Sequence, residues 1–209
     1  AYCSDAGMPG VSDPGLRLVA AAREAGVAVE VLPGASAASC AYVASGTVFP
    51  RFYFGGFFPR KGVEQRAVLE QLRGLDAALV FYESPNRLVT ALESVAEALP
   101  LRQVAVCREL TKLHEEVARG AAAELAERFA ARAAQPGGIR GEIALVIDAP
   151  NVAEGEAAAE SAAASAQVRA ADLATEGLRT KEIARRLAAE FGIPRNDAYE
   201  IAMRVQGEK

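Results

Sequence analysis

Arg108, Glu109, Thr111, Lys112 and His114 follow an apolar strand pattern, Val104 to Cys107, in quick succession. Glu, Lys and His side chains can take or hold a proton, and the loop leaving a strand's C-terminal end is where α/β proteins carry active-site chemistry. Glu109, Lys112 and His114 are therefore the candidate catalytic residues. Their types do not select one of the three, and a solvated loop of salt bridges competes with the catalytic reading for each. A further carboxylate, Glu83, ends the apolar run Ala77 to Tyr82, where burial without a partner would be costly, so it is expected to face a cleft. Arg87, four residues on, offers the alternative of a structural ion pair.

The second kind of chemistry available is main-chain recognition. Ser4 to Gly15 packs three glycines and two prolines into a loop before a helical pattern, and so bare a backbone lets a ligand lie against amides and carbonyls. Asp13 reads as the N-cap of that helix and Pro14 as its first residue. The phosphate-cradling pattern closed by Gly-Lys-Ser/Thr is absent. Ser36 and Ala37 follow Pro33-Gly34 at another predicted helix start, where free amides favour a carboxylate or hydroxyl. Arg60, Lys61 and Arg66 follow an aromatic run, Phe52 to Phe58; basic residues beside aromatics suit single-stranded RNA, although most of those rings read as core.

The elements that must position these residues alternate. The periodicity predicts a helix from Pro14 to about Ala25, a strand Val27 to Leu32 and a helix Ser36 to about Ala44, an order that argues for a mostly parallel sheet flanked by helices. Residues 47–52, with Pro50, break the period and mark a domain join. A second α/β unit follows: a strand near Phe52 to Phe57, a helix near Val63 to Arg73, a strand Ala77 to Tyr82, a helix opened by Ser84 and Pro85, a strand Val104 to Arg108, a helix Ala121 to Ala134 and a strand Ile143 to Ile147. The expected units are residues 1–50 and 51–149, with the site between them. Residues 150–165 lack large apolar side chains and read as a flexible linker, and 166–209 as a helix-turn-helix-like pair. In that pair Arg185, Arg186 and Arg195 are offset by Glu182, Glu190, Asp197 and Glu200.

Composition sets the bounds. The 209 residues, 51% of them hydrophobic, suffice for a buried core. No apolar run approaches a membrane span, and the expected compartment is the cytoplasm. Cys3, Cys40 and Cys107 form no Cys-x-x-Cys pair and read as buried thiols. A single histidine excludes a multi-histidine metal site, and no metal is expected. The formal charge of −4 is unfavourable for RNA, but the basic residues cluster around one loop while Glu154, Glu156 and Glu160 sit in the linker.

Five ordered segments carry a resemblance: Ser4 to Gly15, Leu32-Pro33-Gly34-Ala35-Ser36-Ala37, Phe54 to Lys61, Phe81-Tyr82-Glu83-Ser84-Pro85-Asn86-Arg87 and Arg108 to Glu115. Together they resemble the ribosomal RNA small subunit methyltransferase I family of the tetrapyrrole methylase superfamily, closely over residues 1–149 and more loosely beyond. The resemblance implies a two-domain α/β methylase fold, with the first domain incomplete, and a small all-α C-terminal module. It implies S-adenosylmethionine as methyl donor, a cytidine 2′-hydroxyl in the decoding region of 16S rRNA as acceptor, and a homodimer. By position it places the donor against Ala6, Gly7, Met8, Val11, Ser36, Ala37, Glu83 and Leu110. Arg60, Lys61, Arg66, Arg87 and Arg108 become the candidate RNA contacts. Met8 stands where the family commonly has a polar residue. Family members also carry an upstream strand and loop, so the chain, which begins at Ala1, is expected to be a C-terminal fragment. Two other readings are a tetrapyrrole precursor as substrate, because the superfamily hosts both, and a non-catalytic RNA-binding remnant.

Overall fold

The computed structural model describes residues 1–4 and 7–207, and the chain divides into two compact units, Ala1–Pro150 and Asn151–Lys209. In the first unit, strands β1 (Phe52–Phe57), β2 (Ala78–Glu83), β3 (Gln103–Arg108), β4 (Glu116–Ala121) and β5 (Ile143–Ile147) form one sheet in the order β1-β2-β5-β3-β4. Helices α1 (Leu16–Glu24), α2 (Ala37–Ala44), α3 (Gly62–Leu72), α4 (Leu88–Ala98) and α5 (Ala122–Ala133) belong to the same unit.

The sheet is mixed. β1 and β2 are parallel, while β5 pairs antiparallel with both β2 and β3. That double pairing makes β1, β2 and β3 run one way, so their last residues, Phe57, Glu83 and Arg108, meet at one rim. Glu83 and Arg108 both stand opposite Ile143. Side chains alternate across the sheet. Leu79, Phe81, Val104, Val106 and Leu145 pack with α4 and α5 on one face; Ala78, Val80, Ala105, Cys107 and Val146 pack with Ala38 and Ala41 of α2 on the other.

Several elements differ from the sequence expectation. Val27 to Leu32 forms no strand, because no other strand lies beside it among the described residues to complete its hydrogen bonds; residues 1–50 thus contribute helices and loops and no parallel sheet. Asp13 does not cap α1: Gly15 occupies the N-cap at φ 136°, a conformation that excludes most side chains. β4 was not expected; of its six residues only Ala118 is buried, so its apolar signal is weak.

In the second unit, α6 (Val152–Thr175), α7 (Thr180–Phe191) and α8 (Arg195–Gly207) enclose a core of Ala166, Ala170, Leu173, Ile183, Leu187, Ala198 and Ile201. The segment 150–165, expected to be a flexible linker, is helical from Val152 onward. Asn151 accepts a bond from the Glu154 amide at 2.8 Å, and alanine's high helix propensity carries the chain on to Ala166, where burial begins. The α7–α8 turn follows the expectation, with Gly192 left-handed at φ 64°. No described helix is long and apolar enough to cross a membrane.

β1 contains Gly55 and Gly56, and its register shifts between Phe54 and Phe57. A Cβ at Gly55 would lie 2.1 Å from Cε1 of Phe81, so the strand can pass the buried ring only without a side chain. Gly62 at the start of α3 has nothing within 4 Å of its Cβ position. Gly55→Ala is therefore expected to lower unfolding stability by about 1–3 kcal/mol through overpacking, and Gly62→Ala to leave it unchanged or raise it by up to about 1 kcal/mol, as read by urea denaturation.

Candidate active site at the strand ends

The two glycine-containing loops dock on each other. The Met8 amide donates to the Ala35 carbonyl at 2.8 Å. A Cβ at Gly7, where φ is 79°, would stand 3.0 Å from the Ala35 oxygen, and one at Gly34 would stand 3.5 Å from the Met8 Cα. The bare backbone thus permits the close approach, and Gly7, Val11 and Ala37 stay exposed around it. Ala6 lies outside the described residues.

Tyr82 ties this pair of loops to the sheet. Its side chain reaches the α2 face, where the phenol oxygen accepts from the Ala38 amide at 3.1 Å. Burial raises the phenol pKa above its usual value against the opposing bonds from Ala38 and the Ser36 side chain, so the ring stays neutral. Leu110 packs against the same cluster, to which Ala38 and Ala41 belong. Gly7, Met8, Ser36, Ala37 and Leu110 are therefore gathered around α2, and Tyr82 belongs with them. Sequence reasoning missed it, although strict alternation along β2 separates it from its neighbour.

That neighbour, Glu83, points to the other face. Expected to face a cleft, it is instead buried: one carboxylate oxygen accepts from the Ser84 amide at 2.6 Å and from Nε of Arg87 at 2.8 Å. The ion pair with Arg87 closes at 2.6 Å, with the Glu83 side chain wholly covered. Its other oxygen, Oε2, is buried without a partner. The ion-pair alternative is thus the one realised, since a single turn after the strand brings Arg87 back over the carboxylate.

On that same face Arg108, also buried, donates to Oε2 of Glu116 at 3.1 Å and to the Arg140 carbonyl at 3.2 Å. Glu116 further accepts from Arg128 at 2.8 Å and Arg132 at 2.6 Å. One carboxylate thus holds three guanidinium groups. Burial alone would raise the Glu116 pKa, but the bonds from Arg132 and Arg108 outweigh it and hold the carboxyl below its usual range.

The loop between β3 and β4 is strained and internally bonded. Glu109 and Thr111 adopt positive φ of 52° and 64°. Oε1 of Glu109 accepts from the Glu142 amide at 2.9 Å and from Nζ of Lys112 at 2.9 Å, and Lys112 also bonds Glu142 at 2.9 Å. The Glu142 amide first, then Lys112, hold the Glu109 carboxyl below its usual value; Glu142 and then Glu109 hold the Lys112 ammonium above its own. Both stay charged across the neutral range. His114 is exposed and lines a cavity with Arg108 and Arg132. Among the expected basic contacts, Lys61 pairs with Glu64 and Arg66 with Glu97, each at 3.3 Å and solvent-exposed, and Arg60 is exposed.

Two stability measurements check this electrostatic frame. Arg87→Met strands the buried Glu83 carboxylate and is expected to cost about 3–5 kcal/mol in urea denaturation, more than the Glu83→Gln, Arg87→Met double substitution, which removes the charge as well. The depressed Glu116 pKa contributes stability above the ordinary glutamate value of about 4.3, and that contribution is lost as pH falls through the folded-state value. Melting temperature is therefore expected to fall more steeply on acidification below about pH 4 in the wild type than in Glu116→Gln.

The family model described as Tetrapyrrole (Corrin/Porphyrin) Methylases matches residues 1–126. The chain is 39% identical over 203 residues to ribosomal RNA small subunit methyltransferase I of Halalkalibacterium halodurans, covering 96% of this chain and 68% of that protein. It is 42% identical over 207 residues to the protein of the same name from Mycobacterium bovis, covering 98% and 68%. Among solved structures, the crystal structure of the methyltransferase CobJ superposes with a TM-score of 0.50 at 20% identity, covering 68% of this chain and 62% of that one, a likeness of fold. Docked glycine loops, a mixed sheet whose strand ends share one rim, and relatives matched along nearly the whole chain agree: this chain belongs to the tetrapyrrole methylases, in the branch of ribosomal RNA small subunit methyltransferase I.

Proposed function

We propose that this chain methylates ribosomal RNA, transferring the methyl group of S-adenosylmethionine to the 2′-oxygen of a cytidine in the decoding region of the 16S molecule. The observation that carries this reading is the convergence of the docked loops at 7–12 and 33–37 with the polar loop 109–114 around the strand ends. The donor-holding residues of this reading are Gly7, Met8, Val11, Ser36, Ala37 and Leu110, joined by Tyr82. They fit such a donor, because the close-packed glycines expose main chain and small apolar groups while Tyr82 fixes the first turn of α2. Residues 1–50 act here as part of a donor-binding lobe.

When bound, the donor supplies an electrophilic methyl group; the protein must place the acceptor oxygen and take its proton. Lys112, held as an ammonium, can stabilise negative charge growing on that oxygen, and Glu109 holds Lys112 in place. His114, exposed on the same loop, takes the proton. The working form is a cytoplasmic homodimer, the compartment following from the ribosomal substrate.

The test is incubation of the chain with isolated 30S subunits and labelled donor, followed by mapping of the methylated nucleotide. Label at a cytidine 2′-oxygen of 16S RNA is expected, and transfer to a corrin precursor in its place would overturn the assignment. His114→Ala is expected to lower kcat by about 10²- to 10⁴-fold, and Lys112→Met to lower kcat as well.

A further inference from the structure

From the arginine cluster beside the strand rim we infer a second binding subsite: a groove between the 136–141 turn and the β3–β4 loop that holds the phosphates of an RNA segment flanking the reactive nucleotide. The inference rests on the RNA-methylating reading above and adds to it residues that neither the sequence motifs nor the comparisons single out, Arg132 and Arg140.

Two adjoining cavities of about 420 and 380 Å³ share Gly137, Gly138 and Arg140. The first is walled by Arg108, His114 and Arg132, and the second runs on to Pro85 and Asn86. Three guanidinium groups there share the single carboxylate of Glu116, which leaves a local surplus of two positive charges, and Arg140 adds a third. Of the carboxylates nearby, Glu109 and Glu142 share the one ammonium of Lys112, and Glu115 accepts from the Thr111 amide at 2.6 Å; these two uncompensated negative charges lie on the loop and leave the surroundings net positive by one. Arg140 donates through Nε to the Gly137 carbonyl at 3.0 Å, a bond that orients the guanidinium and leaves its terminal nitrogens for a ligand.

Glu116 is what makes this a built site. Without it, the guanidinium groups of Arg108, Arg128 and Arg132 would repel one another; with it, they are fixed in place while their excess charge is kept. An elongated groove lined by Arg108, Arg132 and Arg140 suits a chain of phosphates rather than one small anion. His114 lines the first cavity, so phosphates seated there would bring the neighbouring ribose to the proposed proton acceptor. The exposed Lys61 and Arg66, by contrast, each carry a carboxylate partner.

The experiment is fluorescence anisotropy of a labelled single-stranded RNA 20-mer across a salt series, with wild type, Arg140→Gln, Arg132→Gln, Arg132→Lys and, as comparison, Arg51→Gln, at an exposed arginine paired with Asp76. Each glutamine substitution in the groove is expected to make the slope of log K against log salt shallower by about 0.7, the share of one phosphate contact, with Arg132→Lys keeping most of it and Arg51→Gln all of it. Arg140 is exposed, so Arg140→Gln stands as a folded variant whatever Arg132→Gln does to the Glu116 cluster. Unchanged slopes in Arg140→Gln and Arg132→Gln, with RNA still bound, would overturn the groove and leave the methylation reading intact. Reduced slopes in a chain that transfers no methyl group to 30S subunits would uphold the groove and overturn that reading.

Discussion

The double pairing of β5 governs this unit. Ile143 to Ile147 are all buried and give their backbone groups to β2 on one side and β3 on the other. Because both pairings are antiparallel, β2 and β3 are forced parallel to each other without touching, and the loops that follow them open at the same rim. Had β5 paired antiparallel with one neighbour and parallel with the other, the Glu83 and Arg108 loops would open at opposite ends of the sheet and leave no common site.

The pleat then sorts the chemistry. Residues one apart on β2 face different helices, so Tyr82 serves the small apolar loops around α2 while Glu83 and Arg108 belong to the charged face over α4 and α5. Burial acts oppositely on the two sides. It keeps the Tyr82 phenol neutral, and it demands that Glu83 and Arg108 be matched by Arg87 and Glu116. The buried ion pairs are thus the consequence of ending two core strands on charged residues, and the surplus of arginine over carboxylate is left where the groove opens.

Much of this was legible in the sequence. The strands Phe52 to Phe57 and Ile143 to Ile147 and the helices following Lys61, Arg87 and Ala121 stand where apolar periodicity and punctuation put them. What was not legible depended on partners distant in sequence. Val27 to Leu32 has strand composition, yet a strand exists only beside another. β4 carries alternating small and charged residues, and its ladder with β3 supplies what its side chains do not. The alanines after Asn151 look featureless by hydropathy but are strong helix formers. At the site, residue types singled out Glu83 and Arg108, whereas the positions of Tyr82, Arg132 and Arg140 beside the strand ends emerge only once the pleat and the turn at 136–141 are placed.

Gly141 carries one more implication. A Cβ there would lie 2.5 Å from the carboxyl carbon of Glu109, itself held in a left-handed conformation and bonded to the Glu142 amide. The β3–β4 loop and the 136–141 turn therefore form a single interlocked part, although the twenty residues 116–135 separate them in the chain. Exchanging loops among related enzymes to redirect their choice of substrate will have to move both pieces as a set, because either alone would arrive without the surface that shapes it.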